Sequence, residues 1–176
     1  MRTPLTETPG QTVGPFFHYA LPYDGGADLV PATHPDAVRL SGRVLDGAGS
    51  PVPDAMLELW QVDASGAPVR RPGSLRRDGE TFTGWGRAAT DEDGRYAFTT
   101  LTPAAPFFAV TVFARGLLNR LFTRAYLPEH ADDPFLAGLE PARAATLLTA
   151  RDEDGYVFDV RLQGEAETVF LTYPRH

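Results

Sequence analysis

The sequence of 176 residues contains no cysteine, which removes disulfides, thiolate metal centres and cysteine nucleophiles together. Lysine is absent too, since all 16 basic residues are arginine, so Schiff-base and phosphate-loop lysine chemistry are excluded. A cationic surplus is also missing. The formal net charge is −7, whereas phosphate backbones are bound through a basic footprint, so nucleic acid is not expected as a partner. No window approaches the ~18 consecutive apolar residues of a membrane span, and Met1 to Glu7 lacks the apolar run of a secretory signal. A cytoplasmic protein with no membrane partner is the expectation, its core held by packing alone.

What is present is the pattern of short strands. From Pro106 to Leu127, Phe107, Ala109, Thr111 and Phe113 alternate with Phe108, Val110, Val112 and Ala114, and a short polar break leads into a second apolar run. That spacing predicts two paired strands covered on both faces, at the centre of the fold. Arg115, Arg120 and Arg124 mark where these strands end and turn. Val38, Leu40, Gly42 and Val44 alternate up to Asp46-Gly47, and Ala55 to Val62 follows as a further strand; together they predict a first hairpin. Asp63 to Thr81, with Arg70, Arg71, Arg76 and Arg77, has no apolar period and reads as a long, solvated basic loop. Tyr96, Phe98 and Thr100 form one more strand after the turn Asp91 to Gly94. Between Asp132 and Ala150 the spacing turns helical, with Pro141 suited to a first turn. Tyr156, Phe158, Val160 and Leu162 return to period two.

Seven or eight short strands separated by turns describe an all-β fold: an antiparallel β-sandwich with long loops and one or two short helices, occupying residues 36–176 as a single domain. Residues 1–35 hold Pro4, Pro9, Pro15, Pro22, Pro31 and Pro35, too much proline for regular structure. With Phe16, Phe17 and Tyr19 embedded in it, this segment reads as an arm docked on a surface.

Few groups offer catalysis. His18, His34, His130 and His176 are scattered, with no paired spacing for a metal. Ser41, Ser50, Ser65 and Ser74 lie in no nucleophile-elbow context. Asp91 with Asp93, and Asp152 with Asp154, sit in turns, where aspartate holds backbone. No catalytic residue and no metal ligand is assigned. Arg115 differs, because it follows a strand read as buried on both sides and an unpaired guanidinium there is costly. Its partner is either an acid of this chain or a carboxylate on a ligand.

Several strings together resemble one family. Gln11 to His18 (QTVGPFFH), Pro51 to Asp54 leading into Leu57-Glu58-Leu59-Trp60-Gln61, Gly86 to Thr90, Asp93 to Phe98, and Phe158 to Gly164 (FDVRLQG) are similar to the intradiol ring-cleaving dioxygenases. Val112-Phe113-Ala114-Arg115-Gly116 narrows the likeness to subunits of that family that hold no iron. The resemblance implies cleavage of a catechol by O₂ on ferric iron, Fe(III), held by two tyrosinates and two histidines. This sequence departs at every ligand: no tyrosine follows Trp60-Gln61 or lies in Thr102 to Pro106, and the positions of the paired histidines are read as Phe107 and Ala109. A vestigial site filled with apolar side chains is therefore implied, with the iron in a beta partner. The likeness further implies that Thr12, Gly14, Pro15 and Arg115 complete that partner's pocket for protocatechuate, a catechol bearing a carboxylate, in a higher-order αβ oligomer. Two other readings compete. A transthyretin-like binding module shares the Asp93 to Phe98 grammar but has no need of the amino-terminal arm or the Phe158 string. An iron enzyme using Tyr96, Tyr126 or His130 would need ligands that no family spacing supports.

Overall fold

A computed structural model describes residues 14, 17–69, 77–78 and 80–173. In chain order its strands are β1 (Ala37–Leu45), β2 (Met56–Trp60), β3 (Trp85–Ala89), β4 (Arg95–Leu101), β5 (Phe107–Phe113), β6 (Leu121–Tyr126), β7 (Ala150–Arg151), β8 (Gly155–Val157) and β9 (Val160–Arg161). A single helical turn, α1 (Phe17–Ala20), precedes them inside the proline-rich segment, and α2 (Pro134–Ala137) and α3 (Pro141–Ala145) follow β6. Both later helices begin with proline at the first turn, where its missing N–H costs nothing, and each is capped by the acid before it, Asp133 or Glu140.

Two sheets stack into the expected sandwich. One has the order β4-β1-β8-β7, with β9 also on β1; the other has the order β3-β2-β5-β6. Leu40, Val44, Phe98, Tyr156 and Phe158 of the first meet Leu57, Leu59, Phe108, Val110 and Val112 of the second in one core. Tyr96 is buried with them and donates its hydroxyl to the Phe158 carbonyl at 2.6 Å. The ladders are antiparallel except that β1 runs parallel to β8 and β9. Leu29 joins the same core from the segment before β1.

Three expectations are corrected. β1 and β2 form no hairpin: β1 pairs with β4, β8 and β9, and β2 with β3 and β5. The chain turns at Asp46, whose carboxylate accepts from the amides of Ala48 and Ser50, and residues 50–52 fold back on the end of β1, with the Val52 amide donating to the Val44 carbonyl; Pro51 and Pro53 carry no amide hydrogen to extend that pairing, and the chain crosses to the other sheet. Of the central strand pair, β5 is interior but β6 is an edge, bridged at Phe122 to Leu171 and at Tyr126 to Leu148. Arg124 accordingly lies within β6 and not at a turn. Finally, the loop arginine Arg77 is not solvated. It is half-buried and donates to the carbonyls of Gly26 and Trp85, the hydroxyl of Tyr23 and the hydroxyl of Thr83, tying the loop and the segment before β1 to β3. Arg70, Arg71 and Arg76 lie outside the described residues.

Candidate functional site

The two faces of β5 part company. Phe108, Val110 and Val112 point into the core and are buried, whereas Phe107, Ala109 and Phe113 on the other face are only half-buried, so the strand is not equally covered on both sides. Register fixes what stands beside them. Across the outer face, Trp85, Trp60, Ala109 and Arg124 form one row, and Arg87, Glu58, Thr111 and Phe122 form the next. In the second row Arg87 Nη2 lies 2.7 Å from Glu58 Oε1, a pair mostly removed from water. Arg87 also donates to the Leu21 carbonyl at 3.0 Å, so this row and Arg77 both hold the chain that leads out of α1.

Around the first row lies a cavity of about 440 Å³, walled by Trp60, Phe107, Ala109, Phe122 and Arg124. Phe107 and Ala109, the positions that the resemblance reads as those of the family's paired histidines, project to the same side, as residues two apart on a strand must. The plug is not purely apolar. Arg124 sets its guanidinium 4.3 Å from the centre of the Phe107 ring and 5.2 Å from that of Phe135, and donates to the Tyr126 hydroxyl at 3.1 Å. Burial raises the Tyr126 phenol above the ordinary tyrosine range against the opposing influence of Arg124. A phenyl ring and a methyl group give no lone pairs, and the fixed cation of Arg124 repels another cation. These residues do not fit ferric iron. Among the described residues no three histidine, aspartate or glutamate side chains come together as a metal would need. The turn aspartates behave as turn aspartates: Asp91 accepts from the amides of Asp93 and Arg95, and Asp152 from those of Asp154 and Gly155.

Gln61 is buried, accepts from the Thr100 hydroxyl and donates to the Leu101 carbonyl at 2.7 Å. It therefore pins the end of β2 to β4, while Trp60 beside it stays half exposed.

Arg115 lies past the end of β5 and lines a separate hollow with Asp46, Asp54, Leu162 and Gln163, away from the cavity around Ala109. Its side chain is 64% exposed, which corrects the expectation of a buried guanidinium: the strand ends at Phe113 and Arg115 lies in the turn beyond. The carboxylate facing it is Asp54, with Oδ2 3.0 Å from Nε and a side chain only 12% exposed. Gly116 completes the turn at φ 90°, a conformation that a side chain disfavours. Gly14 is in the left-handed region as well, at φ 78°. Thr12 and Pro15 lie outside the described residues. Gly14 does not line the hollow around Arg115. Asp54 was passed over in the sequence except as part of a string, because its meaning depends on a strand pairing between residues far apart in the chain.

Residues 14–157 match the family model described as Dioxygenase, and the chain belongs to the intradiol dioxygenase family. It is 40% identical over 196 aligned residues to the protocatechuate 3,4-dioxygenase alpha chain of Burkholderia cepacia, covering 96% of this chain and 98% of that one. The beta chain from the same organism is 29% identical over 184 residues, covering 84% of this chain and 78% of that one. Among solved structures, the dioxygenase domain of a dioxygenase carbohydrate-binding fusion from Streptomyces sp. SirexAA-E overlays with a TM-score of 0.55 at 26% identity, covering 90% of this chain and 99% of that one. A transthyretin-like module with no enzymatic kin is thereby set aside. No helix of the described residues is long and apolar enough to cross a membrane.

Proposed function

We propose that this chain is the subunit without iron of a two-chain protocatechuate 3,4-dioxygenase, and that it works by completing the substrate pocket of an iron-bearing beta chain. One observation carries the reading: a chain similar to an alpha chain over 96% of its length presents a phenyl ring, a methyl group and a guanidinium where the family's metal needs oxygen and imidazole donors. The iron on this reading belongs to the beta chain. What this chain adds is recognition. Arg115 offers a planar, permanently charged fork to the carboxylate of protocatechuate, and Thr12, Gly14 and Pro15, in an arm formed by residues 1–35, close the same pocket. Binding through a group remote from the reacting carbons holds the ring in one orientation while the bond between the two hydroxyl-bearing carbons breaks and each of them takes one atom of O₂ to become a carboxylate, giving 3-carboxy-cis,cis-muconate. The assembly is a higher-order αβ oligomer in the cytoplasm.

The test is iron content and visible spectrum for the chain produced alone and then with the beta chain from the same genome. A colourless, metal-free chain that yields a coloured, active complex only with its partner is expected. Stoichiometric iron with a tyrosinate charge-transfer band in the chain alone would overturn the proposal.

A further inference from the structure

From the pairing of Asp54 with Arg115 we infer that Asp54 is a positioning residue, one that aims the Arg115 guanidinium at the carboxylate of the substrate; the inference rests on the role proposed for Arg115. The geometry starts with register. β2 and β5 run antiparallel and their last pair is Met56 with Phe113. Continuing that register two residues outward sets Asp54 opposite Arg115, on the same face, which is why an acid in the turn before β2 meets a base in the turn after β5. The acid is the fixed partner. Pro53 precedes it, Ala55 after it is locked by its amide and carbonyl to Thr90, and its own side chain is nearly out of water.

The base is the presented one. An arginine two-thirds exposed on a turn has little reason to keep one rotamer, since its long side chain has many to choose from. Asp54 approaches it at Nε, the nitrogen nearest the backbone, and the side chain remains largely in solvent beyond that point. The distal edge of the fork is thus left for a second carboxylate, and no other acid of the described residues forms an ion pair with it. Asp46 lines the same hollow but spends its carboxylate on the amides of its own turn. Only the arginine half of the pair stands in water, and solvent screening there limits what the pair contributes to stability. Its effect falls on orientation, and ordering the guanidinium before substrate arrives lowers the entropic cost of binding.

The experiment uses the assembled enzyme with both chains and two ligands, protocatechuate and plain catechol, which lacks the carboxylate. Asp54→Ala is expected to raise KM for protocatechuate several-fold with kcat within about twofold, to leave catechol unchanged, and to add nothing in combination with Arg115→Ala. Asp54→Asn keeps an acceptor near Nε in the same volume, so it should fall between Asp54→Ala and the wild type. Equal losses for both ligands would mean that Asp54 only holds the fold, and additive losses with Arg115→Ala would mean that it acts elsewhere; either result overturns the inference. If Arg115→Ala raises KM for protocatechuate while neither Asp54 variant does, Asp54 alone is dismissed. If Arg115→Ala itself leaves KM unchanged, the pocket role of Arg115 falls and this inference with it.

Discussion

The inner and outer faces of β5 obey different rules although they are built from the same seven residues. Inside, Phe108, Val110 and Val112 are shut between the sheets, and Phe108 meets the Tyr156 ring edge-on with centroids 5.4 Å apart; volume decides what those positions tolerate. Outside, the strand passes from a ring stacked under Arg124, through a methyl group beside an open hollow, to the turn where Asp54 holds Arg115. Nothing about packing requires that sequence of side chains. Positions that packing leaves undetermined can change without disturbing the core, so a face without metal donors and an exposed arginine beyond it are compatible with an intact sandwich.

The largest effect expected from this contrast is on stability. Phe108→Ala should cost about 3–5 kcal/mol in denaturant unfolding, and Phe107→Ala well under half of that; comparable losses would mean that the faces are not distinct. Arg115→Ala leaves the nearly buried Asp54 carboxylate without its ion-pair partner, so a stability loss smaller than that of Phe108→Ala is expected, together with a rise in KM for protocatechuate in the assembled enzyme on the order of 10–100-fold, the range of a charge-assisted hydrogen bond; an unaltered KM would remove Arg115 from recognition. Next comes Tyr96, whose phenol is pushed up first by burial and then by the charge of Asp159. A raised phenol stabilises the fold fully below the ordinary tyrosine value of about 10, and that contribution is lost as pH climbs through the higher folded value. Melting temperature should therefore fall above about pH 10, and Tyr96→Phe should flatten that fall at a loss of roughly 1 kcal/mol at neutral pH; an equally steep decline in the variant would assign it to another group. The smallest expected effect is none: Phe107→His with Ala109→His should gain no iron, because Arg124 and the absent tyrosines remain. A ferric chromophore in that variant would show the outer face to be closer to a metal site than its charges imply.

Much of this was legible in the chain. Alternation from Phe107 to Ala114, with a second apolar run after a polar break, located the β5–β6 ladder because period two is a local property of strands. The absent metal ligands were legible too, since a phenyl ring excludes coordination whatever the fold. Partition between sheets was not, because whether β2 pairs with β1 or with β3 and β5 is settled by contacts made across the chain. Arg77 was hidden for a similar reason. In sequence it belongs to a run of arginines, and only the close approach of the Gly26 and Trp85 carbonyls turns one of them into a tie. Arg115 was singled out for burial that it does not have, and its real distinction lies in a neighbour placed by register.

The parallel pairing of β1 with the last strands makes it wait for its partners during synthesis. The amide of Arg43 is closed by the Asp159 carboxylate, 116 residues further on, and β8 and β9 flank a strand that leaves the ribosome long before them. At roughly 5–20 residues per second, the edge of β1 that takes β8 and β9 waits several seconds for them, while β4 and the turn residues 50–52 reach β1 earlier. A strand edge open for that long invites wrong partners. Keeping few chains in synthesis at one time, so that open edges seldom meet, should therefore raise the yield of folded material.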